Sequence, residues 1–192
     1  MAGHDADLLR PHLPGARFIT VVRDPVERTI SSYLHARFHE GGERLWPDVR
    51  EQNLSLSQFT DRYIPANAQS RILLGEGYER LDDEGISQRL SARYALIGYT
   101  EAFDEFVFML HVTEGLPLCQ YGNRLVRAER ESYQPPAEDL ARVRQVNDVD
   151  ARLHALVKAA FQSRIAALTG PLRGQLREFL GSLRAFRSEA QQ

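Results

Sequence analysis

One cysteine, one lysine and one tryptophan occur in 192 residues, and no apolar run is long enough to cross a bilayer. A lone cysteine, Cys119, excludes an internal disulfide and a cysteine-only zinc site. Spanning a membrane as a helix takes roughly 20 consecutive apolar residues, so no such span is expected. The opening MAGHDADLLRPHLPG has no apolar core of the kind a secretory signal carries, and a cytoplasmic protein is expected. No Gly-x-x-x-x-Gly-Lys-Ser/Thr is present, which removes the phosphate loop of kinases and nucleotidases. No His, Asp and Glu residues cluster at ligand spacing, so no metal is expected.

The charge that is present is nearly balanced. A net charge of −2 and a pI of about 6.3 argue against a general nucleic-acid binder, which needs a clearly basic surface. Of the 24 basic residues only Lys158 is lysine, and the rest are arginine. Planar guanidinium forks suit phosphate and sulfate, but GC-rich coding would give the same bias. The length fits one domain, drawn here as residues 1–168, followed by a C-terminal helix and tail at 169–192.

Two stretches predict buried parallel strands: ARFITVVR at 16–23, covered on both faces, and YALIGY at 94–99. After the first, Asp24 as N-cap, Pro25 at the first helical position and Glu27 two residues on predict a helix to about Phe38. Further helices are predicted over about 57–63, 66–74, 84–93, 135–146, 148–167 and 171–187. After the second strand, Thr100 is placed as cap of a helix with Phe103, Phe106, Val107 and Leu110 on one stripe. Residues 118–134 read as a loop, with a short strand at RLVRA. The fold class is therefore α/β, helix-rich, with only two strands where four to six are usual.

The junction FITVVRDPVERTISSYLH is the chemically distinctive part. Arg23 ends a strand where open α/β sheets bind ligands, and the next helix directs its positive end the same way. Ser31 lies eight residues on, in the second turn, and can share an anion with Arg23 only if that anion lies beside the helix. Arg28 is one turn before Ser31 on the same flank. An amphipathic helix with an Asp24–Arg28 salt bridge reads the same residues without any ligand.

The junction resembles the 3′-phosphate-binding motif of carbohydrate sulfotransferases of the heparan-sulfate type, which use 3′-phosphoadenosine 5′-phosphosulfate. NAQSRILLG (67–75), YALIGYTEAFDEFVFML (94–110) and DVDARLHALVKAAF (148–161) are similar to segments that follow it in that family, in the same order. The resemblance implies a P-loop-NTPase-like sulfotransferase fold, with Arg23 and Ser31 on the donor's 3′-phosphate; Arg28, on the same flank by helix spacing, is expected to join them. It implies His4, of a Gly-His pair upstream, as the base and no metal; His35, one turn past Ser31, is the next candidate base by position. Arg127, in the loop YGNRLVRAERES with Arg124 and Arg130, is implied to reach the nucleotide. Asn67, Gln69 and Arg71 are placed facing an acceptor, most simply a sugar hydroxyl.

The chain departs from the family in one respect. The strand and lysine-bearing loop that cradle the 5′-phosphosulfate have no counterpart, since Lys158 falls in a late helix. The expectation is a truncated parallel sheet lacking its N-terminal strand, and a fragment of a full sulfotransferase. The alternative is a non-catalytic nucleotide-binding or protein-interaction module on a decayed sulfotransferase fold. A chance Arg-Asp-Pro turn in an unrelated helical protein would show no parallel pairing between 18–22 and 95–98.

Overall fold

The computed structural model describes residues 11–38, 46, 48–122 and 132–189. Strands β1 (Ile19–Val22) and β2 (Leu96–Tyr99) pair in parallel, with Ile19 opposite Leu96 and Val22 opposite Tyr99. They form the only sheet among the described residues. Between the strands come α1 (Pro25–Phe38), α2 (Asp48–Glu51), α3 (Leu56–Tyr63), α4 (Ala68–Leu74) and α5 (Asp83–Arg93). After β2 come α6 (Phe103–Glu114), α7 (Ala137–Val146), α8 (Asp148–Ala166) and α9 (Gly170–Glu189). The architecture is α/β, dominated by helices around a small parallel sheet.

Local chemistry sets most boundaries. Asp24 Oδ1 accepts from the amides of Val26 and Glu27 at 2.9 and 3.0 Å, capping α1 as its sequence predicts. Ser55 and Gln58 exchange hydrogen bonds in a capping box that opens α3. Gly115, at φ 69°, takes the left-handed conformation that ends α6.

Two apolar clusters hold the layers. One joins the sheet to α4, α5, α6, α8 and α9 through Val22, Leu96, Phe106, Phe108, Phe161 and Phe179. The other packs α1 on α2, α3 and α7 through Ile30, Tyr33, Leu34, Phe59 and Val143. Gly98 of β2 is required by the first cluster: a Cβ there would sit 2.3 Å from the Phe106 ring. That is far inside contact distance, so α6 could not approach β2 with any side chain at this position.

Three expectations are corrected. β1 is not covered along its length: Ile19 is 41% exposed, and only Val22 is fully buried. Helices α6 and α8 pack on β2, and β1 is fully buried only at Val22, with Val21 partly buried against the same cluster. Thr100 does not cap α6; a 3-10 turn over Thr100–Ala102 intervenes, and the Thr100 hydroxyl donates to Glu101 Oε2 at 3.0 Å. Phe103 is 43% exposed, whereas Phe108 and Met109 are buried. Helix α6 is held from two sides, with Phe106 toward β2 and Phe108 against Phe179 of α9 at 6.3 Å between centroids, so one apolar stripe does not describe it. The RLVRA strand expected within the 118–134 loop lies wholly outside the described residues.

Among the described residues no helix is long and apolar enough to cross a membrane. Helix α9 is fixed at its far end by Arg187, which grips Asp104 of α6 through two nitrogens at 2.7 and 2.8 Å. The Tyr121 hydroxyl donates to the same carboxylate at 2.6 Å. These bonds, Arg187's first, hold the Asp104 carboxyl below its ordinary pKa. A carboxylate with a depressed folded-state pKa stabilises fully above its unfolded value, near 4, and that share is lost as pH falls through the folded value. Replacing Asp104 by Asn should therefore lower stability at pH 7 and flatten the loss on acidification below about pH 4, read from urea midpoints between pH 7 and 2. Parallel pH curves for the two proteins would contradict the assignment.

Candidate anion-binding site

The parallel pairing places the carboxyl ends of β1 and β2 side by side, and Arg23 follows directly from β1. Its backbone is held from an unexpected direction. Phe18 C=O accepts from Ala95 N at 2.8 Å, so alternate residues of β1 turn their peptide groups toward β2. Those of Arg23 fall in the other set and face the opposite edge. There the Gln69 side chain accepts from Arg23 N–H at 2.9 Å and donates from Nε2 to Arg23 C=O at 2.8 Å. Gln69 thus stands where a neighbouring strand's peptide would be.

Gln69 is fixed by a second arrangement, in which two helices cap each other. Helix α4 begins at Asn67 and α8 at Asn147, yet neither residue caps its own helix. Asn67 Oδ1 instead accepts from Val149 and Asp150 amides of α8 at 2.9 and 3.0 Å. Asp150 returns the bond: its carboxylate accepts from the Gln69 and Ser70 amides of α4 at 3.0 and 2.6 Å. Asn67 adopts φ 49°, the left-handed conformation that Asn tolerates better than most residues. Each helix start is positively polarised and presents orphan amides, and each is satisfied by an oxygen from the other.

Arg28 completes this core rather than an anion site. Its Nη2 donates to Asn147 Oδ1 at 3.1 Å and to Asp150 Oδ2 at 3.3 Å. The Asp150 side chain is wholly buried, and Arg28 is the cation that balances it. Burial draws the Arg28 pKa down, and the Asp150 charge opposes this. The expected sharing of a ligand phosphate by Arg28 is thus replaced by an internal ion pair, because a buried carboxylate demands a counter-charge. The Asp24–Arg28 salt bridge considered from sequence is likewise superseded.

Asn67 and Gln69, expected to face an acceptor, are spent on the backbones of α8 and Arg23. Arg71 is exposed and lines an open groove of about 570 Å³ with Pro65, Gly75 and Tyr78.

Arg23 and Ser31 are both half-buried. Among the described residues, neither the Arg23 guanidinium nor the Ser31 hydroxyl has a hydrogen-bond or ion-pair partner. The first-turn amides of α1 are not open to a ligand, because Asp24 takes those of Val26 and Glu27. An anion placed on this flank would meet side chains rather than backbone amides. His35 lies half-buried with its ring edge-on to Trp46, 6.0 Å between centroids. His4 and Arg127 lie outside the described residues.

Sequence reasoning missed two features. Asp150 sits at the start of a predicted helix, where an acidic residue is ordinary, and only its partner segment shows its task. His154, one turn further along α8, is 8% exposed, and its Nε2 lies 3.3 Å from Glu101 Oε1 in the 3-10 turn after β2. Its i+4 spacing from Asp150 was the available signal. Comparison of the chain with protein-family profiles, with curated proteins and with solved structures finds no match.

Changing Asp150 to Ala strands two helix amides and takes the counter-charge from the half-buried Arg28. The expected cost is about 3–5 kcal/mol, measured by urea denaturation. A loss within about 0.5 kcal/mol, as for an ordinary surface change, would show that the cross-cap is not a major source of stability.

Proposed function

We propose that this chain is the 3′-phosphate-binding part of a sulfotransferase that draws on 3′-phosphoadenosine 5′-phosphosulfate. The observation that carries the proposal is Arg23 itself. It leaves the carboxyl end of a parallel strand, its backbone is clamped, and neither its guanidinium nor the Ser31 hydroxyl is used by any described residue. A fixed arginine with an uncommitted fork, next to a helix bearing an uncommitted hydroxyl, suits a phosphate dianion through charge-assisted bonds.

A second observation adds support. The segments 67–75 and 148–161, both similar to stretches of heparan-sulfate-type sulfotransferases, are the two halves of the reciprocal cap. Segments that keep their order in the sequence thereby acquire a joint physical reason to occur together.

In the reaction, an acceptor hydroxyl oxygen attacks the donor sulfur. The bond from sulfur to the bridging oxygen of the 5′-phosphate breaks, and the hydroxyl proton passes to a base. Arg23 and Ser31 contribute by holding the far end of the donor, which fixes its direction without touching the reacting atoms. His4 is the proposed base, a role suited to a group with an ordinary pKa near 6.5. The acceptor class proposed is a carbohydrate hydroxyl. Arg28 belongs to the scaffold in this reading, and Arg127 to the nucleotide.

Adenosine 3′,5′-bisphosphate keeps the 3′-phosphate and lacks the sulfate, so it tests the site without requiring turnover. At a hundredfold excess over Kd it should stabilise by about 2.7 kcal/mol, visible as a melting-temperature rise of several degrees. Arg23→Ala should weaken binding roughly a hundredfold and so shrink the rise to a small fraction at the same ligand concentration, and Ser31→Ala should weaken binding roughly tenfold. No rise at millimolar ligand would overturn the proposal.

A further inference from the structure

We propose that Gln69 is a positioning residue for the anion site: it sets the Arg23 guanidinium by clamping the Arg23 peptide groups from the open edge of β1. The inference rests on the reading of Arg23 as a phosphate ligand and extends it to a residue that never reaches the phosphate.

A strand normally fixes its last residue by pairing it with strands on both sides. β1 has β2 on one side and no other strand among the described residues. Arg23 lies beyond the last paired residue, Val22, and its N–H and C=O face away from β2. Without a partner there, rotation about its backbone would swing the guanidinium and carry the Asp24-capped start of α1 with it. The Gln69 amide closes both bonds at once, at 2.9 and 2.8 Å, in the manner of a facing strand residue.

The clamp is rigid because of what holds Gln69. Its own amide is bound to Asp150 Oδ2 at 3.0 Å, and Asp150 is fully buried and tied to Arg28 of α1. Residues on α1, α4, α8 and the end of β1 are thereby joined in one chain of contacts. An amide side chain suits the position because it must both donate and accept: a glutamate could accept from Arg23 N–H but not donate to Arg23 C=O. A carboxylate would also place negative charge beside the phosphate.

The test is a double-substitution cycle read as the dissociation constant for adenosine 3′,5′-bisphosphate, by calorimetry well below the melting temperature. Gln69→Ala should weaken binding roughly tenfold. In an Arg23→Ala background the same change should have no further effect, because the side chain it positions is gone. A merely structural role would lower the melting temperature but leave affinity in place, or weaken binding equally in both backgrounds. Either result overturns the inference while leaving the phosphate reading intact. Should Gln69→Ala fold poorly, Gln69→Glu keeps the length and one of the two bonds, and it too should weaken binding. Wild-type affinity in that variant would overturn the clamp. Absence of binding by the unsubstituted chain overturns the phosphate reading and this inference together.

Discussion

A single buried carboxylate, that of Asp150, connects elements that are distant in sequence. It accepts from the first turn of α4 while Asn67 of α4 accepts from the first turn of α8. It also neutralises Arg28 of α1. Burying an unpaired carboxylate would be prohibitive, so each of these partners is obligatory once Asp150 is inside. The geometry of the strand end follows from this arrangement, because Gln69 takes its own position from Asp150. Stability and site geometry thus share one set of contacts.

That sharing bears on how an anion can be recognised here. Strand-to-helix junctions usually hold phosphate on free helix amides. At α1 those amides are taken by Asp24, whose charge would also oppose an anion on the helix axis. What remains is a guanidinium and a hydroxyl on the flank, with directionality coming from the clamped backbone beneath them. In the proposed function, that flank is where the 3′-phosphate of a sulfotransferase donor would rest.

Much of the fold could be read from local signals. Asp24-Pro25 opens α1, Gly115 closes α6, and the paired prolines at 135–136 precede α7, because caps and breakers act within a few residues. The parallel partnership of the two strands was also foreseeable from their apolar runs. The failures were of another kind. Phe103 was assigned to the core because periodicity shows that a face is apolar but not how many neighbours a helix has. Asn67 and Gln69 looked like ligand-facing polar residues on a helix exterior, and their true partners are some 80 and 46 positions away. Arg28 was placed on the anion for the same reason: its partner Asp150 lies 122 residues on. Long-range polar pairing leaves no trace in spacing, whereas caps and breakers act locally and do.

The reciprocal cap is the element on which the rest depends, and native-state hydrogen exchange reads it directly. The amides of Gln69, Ser70, Val149 and Asp150 are the four that the two helices trade. If the cap is one unit, all four should exchange with the same free energy, equal to that of global unfolding from denaturation. Exchange of the Gln69 and Ser70 amides at a much lower free energy than those of Val149 and Asp150 would show that α4 opens alone. The strand end would then have no fixed support, and the account would be contradicted.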